Sequence, residues 1–154
     1  MIRVRPAGPD DEAVIVEWNC LLARETEGKE LDRARIVPGV RAVLADPQKG
    51  RYFVAESGSG ELVGQLMHTM EWSDWRNGWI WWLQSVYVPA SHRGHGVFRA
   101  LFEHLERVAL AGPEVVALRL YVEDHNEAAV ATYHRLGMQD AGYRVLERRL
   151  RATY

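Results

Sequence analysis

The chain has 154 residues, enough for one domain that buries roughly 70% of its unfolded surface. It is 47% apolar and 26% charged with a formal charge of -2, which excludes a disordered polyelectrolyte and argues against a general nucleic-acid binder, since those carry a basic excess. No run approaches the roughly 18 apolar residues of a membrane span. The opening Met1-Ile2-Arg3-Val4-Arg5-Pro6 lacks a signal peptide's apolar centre, and a lone cysteine forms no internal disulfide, so a reducing cytoplasm is the expected setting.

In chain order, residues 2–5 predict a short strand stopped by Pro6 and Pro9. Asp10 and Asp11 can cap a helix over 10–26, with Val14, Trp18, Leu21 and Leu22 on one stripe and Cys20 as a buried thiol. After Glu27-Gly28-Lys29, a second helix is expected with Pro38 in its first turn, ending at Asp46-Pro47. Strands are predicted at 51–56, 62–71 and 79–88, the first two joined by the turn Ser57-Gly58-Ser59-Gly60. Val97, Leu101, Leu105 and Val108 repeat at helical spacing up to Gly112-Pro113. Val115 to Glu123 reads as a strand buried on both faces. Asn126 can cap a helix carrying Ala129, Thr132, Tyr133 and Leu136, closed by Gly137. The tail at 138–150 is expected to be a final strand or strand pair, with Arg144, Arg148, Arg149 and Arg151 on its solvent side. This order predicts a single α+β domain over 1–154, a mixed and largely antiparallel sheet flanked by about four helices.

The most informative stretch is Ser85-Val86-Tyr87-Val88-Pro89-Ala90-Ser91-His92-Arg93-Gly94-His95-Gly96-Val97-Phe98. A strand ends, a turn with two glycines and an arginine follows, and a helix begins. That arrangement gathers backbone N–H groups and the positive end of a helix dipole at one point, which suits an anion and above all a phosphate. No Walker-type Gly-Lys-Ser/Thr follows, so a nucleotide-phosphate protein is the weaker reading. His68, His92, His95, His104, His125 and His134 show no metal-ligand spacing, and no metal is expected.

Arg93-Gly94-His95-Gly96-Val97-Phe98 resembles the pyrophosphate loop of the GNAT superfamily of acetyl-CoA-dependent N-acetyltransferases, Arg/Gln-x-x-Gly-x-Gly/Ala. Phe98 departs from the small residue of that pattern, and its ring is expected to turn toward the core stripe while its N–H stays available. Asn126-Glu127-Ala128-Ala129-Val130-Ala131-Thr132-Tyr133, followed by Gly137-Met138, resembles the family's second motif, Asn-x-x-Ala-x-x-x-Tyr then Gly-Phe/Met. The element order matches over nearly the whole length.

The resemblance implies acetyl-CoA as acetyl donor, held by Arg93, Gly94, His95, Gly96, Val97 and Phe98, with its pantetheine arm paired along Val86, Tyr87 and Val88 and touched by Asn126. It implies that Tyr133 protonates the leaving thiolate; a phenol of pKa about 10 carries the proton that a thiolate of pKa about 8.5 needs. The acceptor is expected to be a primary amine on a small molecule or peptide, with Glu71, Trp72, Asp74, Trp75 and Gln84 as candidate contacts. Gln84 cannot take a proton, so the general base stays open between Glu71, Asp74 and a water chain. A noncatalytic acyl-CoA-binding sensor or regulatory module is the alternative. No nucleic acid or membrane partner is expected, and a homodimer is an open expectation.

Overall fold

The computed structural model describes residues 1–152. Arg3–Pro6 forms β1 and a one-turn 3-10 helix lies at Pro9–Asp11. The helices α1 (Glu12–Glu27) and α2 (Arg33–Ala45) follow. The strands β2 (Arg51–Glu56), β3 (Leu62–Ser73) and β4 (Gly78–Tyr87) come next, then α3 (Val97–Ala111), β5 (Val115–Leu120) and α4 (Glu127–Arg135). The described residues group into two compact units, Met1–Arg119 and Leu120 onward.

In the first unit the sheet order is β1-β2-β3-β4-β5, and neighbours from β1 to β4 pair antiparallel. The Trp79 N–H donates to the Glu114 carbonyl at 2.7 Å, and Gly78 lies against Val116, so β4 and β5 begin side by side. Strands that start together run parallel, which α3 permits as a crossover, and the sheet is therefore mixed. Alternation along β2 sends Tyr52 and Val54 to one face, where they meet Ile15, Val16, Cys20 and Val40 of α1 and α2. Phe53 points to the other face, its ring 5.0 Å from that of His104 on α3. Leu101 and Leu105 of α3 are wholly buried, each contributing about 2 kcal/mol. Gly64 allows α3 to start close to the sheet, since a Cβ there would stand 2.7 Å from Val97 Cγ1.

Asp11 is buried and ties β1 to α1. Its carboxylate accepts from both Arg5 guanidinium ends at 2.8 and 3.0 Å and from the Gly8 N–H at 2.8 Å. The hydrogen bonds from Arg5 hold its pKa below the usual carboxylate range, against the opposing effect of burial.

Pro38 departs from the sequence expectation, lying inside α2 and not in its first turn. Asp32 starts the helix one turn earlier, its side chain accepting from the Ala34 N–H at 2.9 Å, a cap worth about 1 kcal/mol. β5 is shorter than expected, ending at Leu120, and it is not buried on both faces, with Val116 44% exposed. It closes one end of the strand order, so fewer neighbours cover it.

In the second unit the Asn126 side chain accepts from the Ala129 N–H at 3.1 Å, and Gly137 closes the helix at φ 89°. Ala129, Thr132, Tyr133 and Leu136 form its half-buried stripe, as the spacing predicts. The expected strand or strand pair at 138–150 is absent among the described residues, and Tyr143, Val145, Leu146 and Leu150 are exposed. Among its described residues this unit has no second strand to pair with, and a lone strand is not stable in water.

Candidate active site

After β4 the chain turns through a 3-10 helix at Ala90–His92 and two left-handed glycines, Gly94 at φ 78° and Gly96 at φ 80°. A Cβ at either glycine would meet no atom within 4 Å, so both open onto free space that a side chain would fill. The first intrahelical bond of α3 runs from the Ala100 N–H to the Gly96 carbonyl, and Gly96 supplies no side-chain cap. The N–H groups of the first helical residues therefore point out of the helix end with its positive dipole, a geometry for an anion. Phe98 is half-buried, its ring 6.1 Å from that of Phe102 one turn further along α3.

Arg93 is already engaged. Its Nε donates to the Val88 carbonyl at 2.8 Å, its Nη2 donates to Glu25 Oε2 on α1 at 2.6 Å, and its charge lies 5.7 Å from the centre of the Tyr87 ring. The Tyr87 hydroxyl donates to the other Glu25 oxygen at 3.0 Å. The Arg93 hydrogen bond, with help from that hydroxyl, holds the Glu25 carboxyl below its ordinary range.

Just before the loop β4 bulges. Gln65 pairs with Tyr87 and Met67 with Gln84, so Leu66 alone faces both Ser85 and Val86. Ser85 takes φ 49°, a left-handed conformation rare outside glycine. The fully buried Gln65 supports it from inside, its Nε2 donating to the Ser85 carbonyl at 3.0 Å. The Asn19 amide donates to the Tyr52 hydroxyl at 3.1 Å. Burial pushes the Tyr52 phenol up, while Asn19 and Ser85, both touching that hydroxyl, pull it back. β5 spans six residues to the ten of β4, about 20 Å against about 33 Å, so it has no residue to set opposite Val86–Val88. On the α1–α2 side of the bulge lies a cleft of about 350 Å³, lined by the polar Asn19, Thr26, Glu27 and Ser85 and by the apolar Leu22, Leu31 and Ile36.

A model of the acetyltransferase (GNAT) family matches residues 14–138. The chain belongs to the GNAT acetyltransferase family. Among solved structures it is similar to that of a possible acetyltransferase from Clostridium difficile 630, at 42% identity and TM-score 0.91 over 99% of each chain. An integron cassette protein from the mobile metagenome of Cole Harbour Salt Marsh is 23% identical at TM-score 0.83, covering 97% of this chain and 91% of that one. An aminoglycoside acetyltransferase from an uncultured soil metagenomic sample is 19% identical at TM-score 0.70 over 99% of each. At these lower identities the likeness shows the fold. No curated protein sequence matched.

GNAT acetyltransferases use acetyl-CoA, and the open, left-handed Gly94 and Gly96 ahead of α3 fit its diphosphate. Val86, Tyr87, Val88, Arg93, His95, Val97 and Phe98 stand together in the first unit, on the bulged end of β4, the loop and the start of α3. Tyr133 and Asn126 belong to the second unit, on α4 and at its cap. Burial pushes the Tyr133 phenol up, so it holds its proton at neutral pH. Among the described residues no cluster of three or more His, Cys, Asp or Glu side chains could hold a metal, and no helix is long and apolar enough to cross a membrane.

The expected acceptor contacts separate. Gln84 lies beside the bulge, its amide donating to Thr69 Oγ1 at 2.7 Å. Glu71 pairs with Ile80, five residues before Ser85 and so about 17 Å away along β4, and there it accepts from Trp82 Nε1 at 3.1 Å. Trp72, Asp74 and Trp75 are farther still, at the hairpin end where Ser73 meets Gly78, and Trp75 is 94% exposed. Glu25, Gln65, Asn19 and the cleft escape sequence reasoning. The one available signal was Gln65, a polar residue among apolar neighbours of a central strand.

Proposed function

We propose that this acetyltransferase moves an acetyl group from acetyl-CoA to a primary amine by direct attack within a ternary complex. The observation that carries this reading is the continuity of the Val86–Val88 edge, beyond the reach of β5, with the outward N–H groups at the start of α3. The loop and α3 amides hold the diphosphate, and the bulged strand aligns the pantetheine arm as an added strand. A main-chain N–H of that strip polarises the thioester carbonyl. The amine, entering from the cleft beside Ser85, forms the new C–N bond as the C–S bond breaks. Its surplus proton leaves to water, and the departing thiolate takes a proton from Tyr133. The Tyr133 role rests on the resemblance of Asn126–Tyr133 to the family motif and on the phenol's retained proton.

Thiol release from acetyl-CoA over an amine panel, with calorimetric titration of coenzyme A alongside, tests this. Turnover with at least one amine is expected, and Tyr133→Phe is expected to lower it about 10²-fold or more while coenzyme A still binds. Coenzyme A binding with no thiol release from any amine would return the protein to the noncatalytic sensor reading. A Tyr133→Phe enzyme of unchanged turnover removes the general-acid role.

A further inference from the structure

Resting on acetyl transfer to an amine, we propose that the acceptor is a compact apolar amine without a carboxylate, of the arylalkylamine kind, bound in the cleft between α1, α2 and the β4 bulge. Leu22, Leu31 and Ile36 give that cleft apolar walls. Its one ionisable lining residue is Glu27, and neither a lysine nor an arginine lines it. An amino-acid acceptor would bring its α-carboxylate against Glu27, with no cation in the lining and only the half-exposed Lys29 beside that glutamate to offset the repulsion.

The backbone adds to the same preference. Glu27 ends α1, and the Gly28 cap at φ 62° closes that helix end, so its C-terminal carbonyls present partial negative charge beside the carboxylate. An ammonium group is attracted there before it loses its proton. Lys29 does meet Glu27 at 3.9 Å, but both side chains are about half exposed, and such a solvated pair yields readily to a competing cation. Ser85 and Asn19, which also line the cleft, supply polar atoms for the nitrogen, and Ser85 lies on the strand that carries the thioester. The volume of about 350 Å³ suits a single ring and a short chain and lies at the low end for ligand sites.

The test compares two ligands that differ only in the carboxylate, 2-phenylethylamine and L-phenylalanine, titrated calorimetrically into the full chain saturated with coenzyme A. 2-Phenylethylamine is expected to bind about tenfold or more tightly than L-phenylalanine. In Glu27→Arg the order should reverse. Equal affinities, tighter L-phenylalanine, or no heat from either compound would overturn the proposal. A preference that persists unchanged in Glu27→Arg would overturn the part assigned to that carboxylate. The readout is binding, so it stands apart from catalysis. Tight 2-phenylethylamine with no thiol release sinks the transfer reading alone, and turnover confined to amino acids sinks this one alone.

Discussion

The Glu25 carboxylate on α1 holds the Arg93 guanidinium of the glycine loop at 2.6 Å, across 68 residues of sequence. The pair sets the charge of the anion site. With Glu25 ionised, the one arginine of the loop is locally neutralised, and main-chain amides supply most of the attraction for a diphosphate.

Glu25→Gln isolates that effect. Its side-chain carbonyl can still accept from Arg93 or from the Tyr87 hydroxyl, so one unit of negative charge is lost with little change of shape. Coenzyme A is expected to bind a few-fold more tightly, about 1 kcal/mol at low salt, with the gain fading as ionic strength rises. Calorimetric titrations at two salt concentrations check it. Weaker binding at both would mean that Glu25 acts by orienting Arg93.

The Gln65 support of Ser85 makes a second prediction. Gln65→Met keeps the volume but removes the donor, leaving the Ser85 carbonyl without its 3.0 Å partner at a cost of about 1–3 kcal/mol. The melting temperature should fall by roughly 3–10 °C. Turnover should fall further than coenzyme A affinity, because the bulge aligns the strand that carries the thioester. Adding Ser85→Gly, which adopts a positive φ without strain, should recover part of the lost turnover. Turnover that simply tracks thermal stability would make Gln65 an ordinary core residue.

His68 yields the third. It is fully buried, its ring stacked 4.1 Å from that of Trp81, and neither ring nitrogen has a hydrogen-bond partner. Burial, aided by the nearby Arg51 charge, pushes its pKa down from 6.5 to about 4. The unfolded chain therefore binds the proton first. This contribution to stability is intact above about pH 6.5 and is lost as pH falls toward 4, by about 2–3 kcal/mol. Urea unfolding at pH 7.5 and pH 4.5 checks the sign. His68→Phe should show a smaller drop between the two, and an equal drop would assign the acid sensitivity to carboxylates such as Asp11.

Much of this architecture is legible in the sequence. Periodicity placed α1 and α3, the hairpin turn located β2 and β3, and Gly94, Gly96, Asn126 and Gly137 sit where turn and cap chemistry puts them. What was not legible depends on distance in space. The Glu25–Arg93 pair leaves no local pattern, and the bulge inserts a residue into a strand whose composition gives no sign of it. The tryptophans near Asp74 look like an aromatic wall in sequence, but strand rise alone carries them more than about 20 Å from Ser85. The tail fails for a related reason, since a strand's existence depends on a partner that its own residues do not name.

One inserted position in β4 also fixes which way the rest of that strand looks. Plain alternation over the four steps from Leu83 would set Tyr87 on the α3 side with it, but because two residues share the place opposite Leu66, its hydroxyl faces Glu25 instead. Loss of Ser85 alone would straighten the strand yet leave Tyr87 opposite Gln65 and facing Glu25, whereas one further residue inserted between 84 and 86 would turn it away and free Arg93, so insertions here should be tolerated far less than point substitutions.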